Sequence, residues 1–145
     1  MTTHLATTGH ATDHARTGLA LRVVGAVALG VSAFVHLRIA AQSPPLARDG
    51  QLTLSGLFVL QGVAATVAAL WVLVRGSRLS WLVLGVVALG SLAAVVLTTW
   101  ITVPAFGPFP AVHDPVWFTD KVVACISAGI ASIVAAVALG TARRA

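Results

Sequence analysis

Long uncharged apolar runs dominate the chain. Three of them, residues 52–74, 79–103 and 122–142, contain no acidic residue, Lys or Arg. Each is as long as the stretch of about 20 residues that an α-helix needs to cross a bilayer core about 30 Å thick. A fourth segment, 18–41, contains His36 and Arg38 only in its last two turns, where arginine can reach the lipid headgroups. The pattern predicts an all-α four-helix transmembrane bundle, with helices at about 18–41, 52–74, 79–103 and 116–142.

The first segment has a second interpretation. Arg16 and Arg22, followed by the apolar run 23–35, resemble the charged and apolar regions of a secretory signal peptide. The candidate cleavage site after Ala41 is poor, because the bulky Ile39 occupies the third position before the cut. A spanning helix is therefore the prediction, and a cleaved signal peptide is its alternative.

The composition indicates the same environment. Apolar residues make up 58% of the chain and charged residues 9%, whereas a soluble domain carries about a quarter charged residues, which excludes a water-soluble globule. The basic residues occur singly or in pairs between apolar runs, so no nucleic-acid partner is expected. Abundant Ala, Val, Gly and Arg beside a single Lys are typical of a GC-rich bacterial genome. We therefore expect a multi-pass protein of a bacterial plasma membrane.

The distribution of basic residues predicts the orientation. The predicted helices place six of them on one side of the membrane and three on the other: Arg16, Arg22, Arg75, Arg78, Arg143 and Arg144 against Arg38, Arg48 and Lys121. Because cytoplasmic loops carry the excess of Lys and Arg, both termini are expected in the cytoplasm. The four tryptophans lie near the predicted membrane boundaries, as in an aromatic belt: Trp71, Trp81, Trp100 and Trp117.

The two ends of the chain differ from the spanning segments. Residues 1–17 are rich in Thr and His and poor in large apolar side chains, which predicts a disordered cytosolic tail. His10 and His14 would share one face of a helix and bind a metal there, but a simple low-complexity tail is the preferred interpretation. Residues 143–145 form a basic C-terminal end.

A shift of 60 residues aligns 23–37 with 83–97 at many Val, Ala, Leu and Gly positions. A duplicated helical hairpin would explain this, since parallel repeats are common in membrane proteins. The alternative is that these four residue types fill any bacterial membrane helix.

Ionisable side chains near the predicted outer ends of the helices are the candidates for function, because such groups are costly inside a membrane. His36 shares a helix face with Gly25 and Ser32, so it is predicted to face the bundle interior and to be coupled to Asp120. The full layer comprises the ligand or metal candidates His36, His113, Asp114 and Asp120 and the cations Arg38 and Lys121.

This layer has two interpretations. One is a metal site, a proton relay or an anion site. The other is a set of interfacial salt bridges, with Asp120 bonded to Arg38 or His36 and Lys121 bonded to lipid phosphate.

Three further features concern packing. The fourth helix carries small residues at every fourth position, a spacing that lets helices approach closely, either within the bundle or in a dimer: Ala124, Ala128, Ser132, Ala136 and Gly140. Gln61 lies well inside the second helix and is expected to hydrogen-bond across the bundle. The segment 102–117 contains four prolines, which exclude a helix and predict a rigid loop that either caps the polar layer or serves as a linker.

Missing residue types exclude several functions. The chain has no Glu and no Asn, which excludes small multidrug exporters with a membrane-embedded Glu and small fluoride channels that use membrane Asn. Cys125 is the only cysteine, so a quinone-linked thiol oxidoreductase is excluded. His36 is the only histidine within a predicted span, which excludes a diheme cytochrome. No cofactor is expected.

Short motifs resemble a family of small four-helix integral membrane proteins of actinobacterial type. They are Val35-His36-Leu37 near the end of the first helix, Gly56-Leu57-Phe58 at the start of the second, and a Pro-x-x-Gly-Pro element at 104–108 followed by an Asp before the last helix. The resemblance covers about residues 21–139 and implies the four-helix fold. It implies no chemistry, because none is assigned to such proteins. Relatives of this type often carry Glu near the polar layer, and this chain has none.

These observations lead to two functional hypotheses. The first is a non-enzymatic structural or accessory membrane protein, since no charged residue is predicted at the bilayer centre. The alternative is an outer-face protein that handles a small ligand or metal ion through the His/Asp layer. The expected partners are the lipid bilayer and either further copies of the chain or a larger membrane complex.

Overall fold

The computed structural model describes the backbone of residues 7–42, 47–48 and 51–141, and side chains within 16–42 and 52–141. The elements are α1 (Thr7–Ala41), β1 (Ala47–Arg48), β2 (Gln51–Leu52), α2 (Leu54–Arg75), α3 (Arg78–Trp100) and α4 (Thr119–Thr141). Within these residues, the four helices each contain a segment that is long and apolar enough to cross a membrane, and in α1 this is Arg16–Ala41. The predicted all-helical architecture is confirmed.

The start of α1 differs from the predicted boundary. The backbone is helical from Thr7, whereas the sequence pattern placed the first helix after residue 17. No proline interrupts residues 7–17, and adding a residue to an existing helix costs far less than starting one, so the apolar helix extends backwards. Residues 1–6 and 142–145, and with them the basic C-terminal end, lie outside the described residues. So do the side chains of His10 and His14.

The four helices form a closed ring in which sequence neighbours are also neighbours in space. α1 packs extensively on α2 and on α4, α3 packs on α4, and α2 and α3 pack less extensively on each other. The core contains mostly Ala, with Leu29, Val72 and Leu84 as its largest fully buried apolar side chains. Most other large apolar side chains of the helices are exposed on the outside of the ring, where a bilayer would cover them.

A two-residue turn joins α2 to α3. Gly76 adopts a left-handed conformation with φ 54°, and its N–H donates to Val72 O at 2.9 Å, which ends α2. The side chain of Ser77 accepts a hydrogen bond from Ser80 N at 3.2 Å and so begins α3. A side chain at position 76 would collide with Arg22 of α1, so Arg22 lies at the same end of the bundle as this turn. We call this end the turn end.

Trp81 is a core residue and not a member of an aromatic belt. The side chain is 6% exposed, and its ring lies against Gly25 of α1. A glycine at this point leaves room for the indole between the helices. Trp100 and Trp117 are exposed, which is compatible with a place in an aromatic belt, and Trp71 is half-buried. The prediction was therefore wrong for Trp81, because position near a helix end does not reveal which face a side chain occupies.

Only the first two residues of the small-residue ridge of α4 are fully buried. Ala124 and Ala128 are buried, Ser132 is half-buried, and Ala136 and Gly140 are exposed. Four residues turn a helix by about 400°, so a four-residue spacing drifts by about 40° at each step. The buried stripe instead alternates steps of four and three: Ala124, Ala128, Ala131, Ala135 and Ala138. Within one chain the ridge therefore packs only in its first half, and a contact between copies through Ala136 and Gly140 stays a prediction.

Candidate functional site

Two short hairpins cover the end of the bundle opposite the turn end, which we call the hairpin end. The first is the antiparallel pair of β1 and β2. The second lies in the proline-rich segment 101–118, where Val103 pairs with Val112 and Phe106 with Phe109. Leu52 N donates to Pro108 O at 2.9 Å and joins the two hairpins. The predicted absence of a helix from the proline-rich segment is confirmed.

Hydrogen bonds attach both connections to the helix ends. Ser55 Oγ of α2 donates to Ala40 O of α1 at 3.0 Å. Thr53 caps α2 by accepting from Gly56 N at 3.2 Å. Asp114 N donates to Thr98 O of α3 at 2.8 Å, which holds the second hairpin over the bundle.

Lys121 joins the second hairpin to α4. Although charged, its side chain is only 5% exposed. Its Nζ donates to the backbone oxygens of Asp114 and Val116 and lies 3.2 Å from Asp114 Oδ2. It also lies 5.3 Å from the centroid of the Trp117 ring, within cation–π range. Lys121 therefore binds protein groups, and not the lipid phosphate proposed as one interpretation of the sequence.

Asp120 makes a separate ion pair across the bundle. Arg38 Nη1 of α1 lies 3.6 Å from Asp120 Oδ1 of α4, with side chains 51% and 23% exposed. This is the Arg38 alternative of the salt-bridge interpretation. Exposed pairs of this kind contribute about 0–1 kcal/mol.

His36 faces the interior, as its helix face predicted, and is 6% exposed. Its Nδ1 lies 2.7 Å from Ser32 O, one turn earlier in α1, and a carbonyl oxygen can only accept, so Nδ1 carries the proton. The ring meets Phe58 of α2 edge to face, with centroids 5.8 Å apart. Its one hydrogen bond within the described part of the chain is to Ser32 O, and the coupling to Asp120 stays a prediction.

A cavity of about 280 Å³ lies between the helices beneath the second hairpin. Its polar wall contains His36 of α1, Gln61 of α2, Ser91 and Thr98 of α3, Asp114 of the hairpin and Lys121 of α4. The remaining lining is apolar and includes Phe58, Phe118 and Val95. All four helices and the hairpin therefore contribute to one site, which is open on the side of the exposed lining residues Leu60 and Ala94.

The polar groups of α2 and α3 in this wall are only partly used. Gln61 Nε2 donates to Val87 O at 3.4 Å, which confirms the predicted bond across the bundle. Thr98 Oγ1 donates to Ala94 O of its own helix. Ser91 is 2% exposed, and its Oγ has no hydrogen-bond partner among the residues that the structure describes.

The predicted polar layer divides into three parts. His36 and Asp114 line the cavity, Asp120 pairs with Arg38 beside it, and His113 is exposed on the hairpin. Within the described ranges, no three His, Cys, Asp or Glu side chains are placed to hold a metal ion. The predicted residues are thus near each other without forming a coordination site.

The sequence did not single out Ser91 or Phe58 as site residues. Phe58 occurs in the Gly56-Leu57-Phe58 motif, which was read only as a mark of resemblance. A serine in a membrane helix normally bonds to the carbonyl one turn earlier, so Ser91 carries no signal in the sequence. Only the packed bundle distinguishes it from Ser132, whose hydroxyl donates to Ala128 O.

In comparisons with known proteins, no protein family, curated protein or solved structure matches this chain.

Proposed function

We propose that this chain is a multi-pass membrane protein that binds a small molecule in the cavity at the hairpin end. The observation that carries the proposal is a mostly apolar cavity, open on one side, whose wall includes Ser91 and the buried ring of His36, which makes one hydrogen bond to the described residues. A buried polar atom without a partner costs about 1–3 kcal/mol, so such an atom needs an explanation in a packed protein. A bound molecule would supply a partner for the second nitrogen of His36.

The size of the cavity agrees with a small ligand. An engineered cavity of about 150 Å³ binds benzene. The volume of about 280 Å³ is therefore enough for roughly eleven non-hydrogen atoms. Natural ligand pockets begin near this size and combine apolar walls with a few polar groups.

The cavity favours this function over the purely structural role that led the sequence-based hypotheses. A scaffold gains stability by filling its interior, since each unfilled space lowers stability. The metal-ion alternative is not supported by the arrangement of the described residues, because Asp120 forms an ion pair with Arg38 and His113 is exposed. Small-ligand binding is the part of that alternative that we retain.

We further propose that the ligand enters from the bilayer between α2 and α3. These two helices pack less extensively than the other neighbours in the ring. Two cavity-lining residues on this side, Leu60 of α2 and Ala94 of α3, are exposed on the outside of the bundle. An apolar molecule dissolved in the membrane would reach the cavity there without crossing water.

The orientation proposed for this protein places both termini in the cytoplasm of a bacterium and the cavity near the outer surface. Arg22, Arg75 and Arg78 lie at the turn end, and a positively charged end belongs on the cytoplasmic side. Kinship with the small four-helix membrane proteins of actinobacterial type is part of the same proposal and rests on the short motifs of the sequence.

Cysteine labelling tests this orientation. In a Cys125→Ala background, a cysteine at Ala47 is expected to react with a membrane-impermeant reagent added to intact cells. A cysteine at Ser77, in the turn between α2 and α3, is expected to react only after the cells are permeabilised. The reverse pattern would place the cavity on the cytoplasmic side.

Ligand binding is tested with a small apolar probe. Protein in lipid nanodiscs is titrated with 4-fluorotoluene, and its ¹⁹F NMR signal is recorded. We expect a saturable signal from the bound probe, separate from the signal of probe dissolved in lipid. Replacing Ala124 by phenylalanine should remove the bound signal, because Ala124 lines the cavity and the added ring takes up about six of the roughly eleven atom positions, which leaves too little space for the probe.

The same substitution at Ala136 is the matched control. Ala136 lies on the exposed side of the same helix, away from the cavity, so Ala136→Phe should keep the bound signal. A second filling variant, Ala94→Phe, starts from an exposed lining residue and is expected to fold normally. The proposal is wrong if the unmodified protein gives only the lipid signal, or if both filling variants retain the bound one.

A further inference from the structure

We infer that the ligand is an uncharged ring compound with a hydroxyl group, such as a substituted phenol. This inference rests on the proposed function, because it assigns a chemical class to the molecule in the same cavity. Three features carry it: the pairing of the two charged side chains in the wall, the hydrogen-bonding groups of His36 and Ser91, and the aromatic side chains that line the same cavity.

The charged groups of the wall favour a neutral ligand. All three N–H bonds of Lys121 have protein acceptors, in the backbone oxygens of Asp114 and Val116 and the Asp114 carboxylate. An anion would have to displace these acceptors, and a cation would have to compete with Lys121 for Asp114. Since an unpaired charge is expensive to bury, the paired wall favours an uncharged ligand.

His36 provides a hydrogen-bond acceptor. Its Nδ1 donates to Ser32 O, so Nε2 has a lone pair and no proton when the ring is neutral, the form that burial among apolar side chains favours. The edge-to-face contact with Phe58 holds the ring in this orientation. A ligand that bonds to Nε2 must therefore carry an O–H or N–H donor.

Ser91 provides the second polar group once its side chain rotates about χ1, because its Oγ is closed off from the cavity in this structure. Its Oγ, which has no partner in the described part of the molecule, can both donate and accept one hydrogen bond. A hydroxyl on the ligand has the same double capacity, so it suits both Ser91 and His36. A carbonyl alone would satisfy Ser91 and leave Nε2 of His36 without a donor.

The rest of the wall determines the body of the ligand. Phe58 and Phe118 line the cavity together with leucine and valine side chains. Aromatic side chains favour ring–ring contacts, which contribute beyond simple burial of area. A single substituted ring with a short side chain fits the space for roughly eleven non-hydrogen atoms.

Two probes of equal size test the class. 4-Fluorophenol and 4-fluorotoluene differ only in a hydroxyl against a methyl group, and both report by ¹⁹F NMR. In nanodiscs, with their concentrations in the lipid matched, we expect 4-fluorophenol to bind about tenfold more tightly, the effect of one neutral hydrogen bond. Equal affinities would overturn the hydroxyl assignment and leave the proposed function intact. Failure of both probes to bind would defeat the proposed function itself.

Serine variants locate the hydrogen bond. Ser91→Ala should fold normally, because the hydroxyl that it removes makes no hydrogen bond within the described residues, and it should lower the affinity for 4-fluorophenol several-fold without changing that for 4-fluorotoluene. Ser32→Ala is the matched control, since Ser32 is equally buried and its Oγ is likewise without a partner there, yet it does not line the cavity. Unchanged phenol affinity in Ser91→Ala, or an equal loss in both variants, would contradict the inference.

Discussion

Replacing Lys121 by methionine is expected to reduce the free energy of unfolding by about 2–3 kcal/mol, because it removes hydrogen bonds from a buried charged group and leaves Asp114 without its partner. Methionine preserves most of the volume of the side chain, so the change isolates the charge and its bonds. The second hairpin should also loosen, since Lys121 joins it to α4. Reversible unfolding in SDS, or steric trapping in bicelles, measures the free energy.

Arg38→Met is the matched control for this loss. Arg38 also pairs with an aspartate at the hairpin end, but its side chain is half exposed, so the expected cost is about 0–1 kcal/mol. Hydrogen exchange of the 101–118 backbone should rise in Lys121→Met and stay unchanged in Arg38→Met. Equal effects of the two substitutions would show that burial of Lys121 is not what makes its bonds important.

Replacing Gly25 by leucine is expected to cost about 3 kcal/mol or to prevent folding, because the site has no space for a side chain. A Cβ atom at this position would lie 3.0 Å from Cζ3 of Trp81 and 3.3 Å from Cγ1 of Val134. The further three carbons of leucine would displace the indole from the core. The same unfolding measurements report the loss.

Gly30→Leu provides the control on the same helix. Nothing lies within 4 Å of a Cβ built at Gly30, so this variant should unfold within about 0.5 kcal/mol of the unmodified protein. If both leucines were tolerated, Trp81 would not be packed against Gly25 as described. If both were damaging, the cost would come from glycine replacement in α1 and not from the contact with Trp81.

The four helices were predictable because the bilayer imposes a length and a composition. Inside a membrane the backbone must satisfy its own hydrogen bonds, so an apolar run of this length leaves a helix as the only solution for it. The same reasoning predicted the proline-rich connection without a helix and the bond from Gln61. The inward position of His36 was predictable too, since a helix face with Gly25 and Ser32 is compatible with close packing.

The candidate site was predictable only in part. The sequence drew attention to His36, Asp114 and Lys121 because charged and titratable side chains stand out against an apolar background, and all three line the cavity. It could not assign their partners. One interpretation of the sequence bonded Lys121 to lipid phosphate, whereas Lys121 donates to backbone oxygens of the second hairpin segment. Partner choice depends on how 101–118 folds back over the bundle, and that is a property of contacts distant in sequence.

The sequence by itself determined that this chain forms four apolar helices with polar groups collected near one end, because length and hydropathy decide what crosses a membrane. Only the tertiary structure decided which face of each helix is buried, as Trp81 and the drifting ridge of α4 show. The physical reason is that lipid and protein interior are both apolar. Hydrophobicity therefore does not show which side of a helix faces the other helices. The positions of small residues, which allow close packing, determine that side instead. The cavity and the hydroxyl of Ser91 arise from that packing.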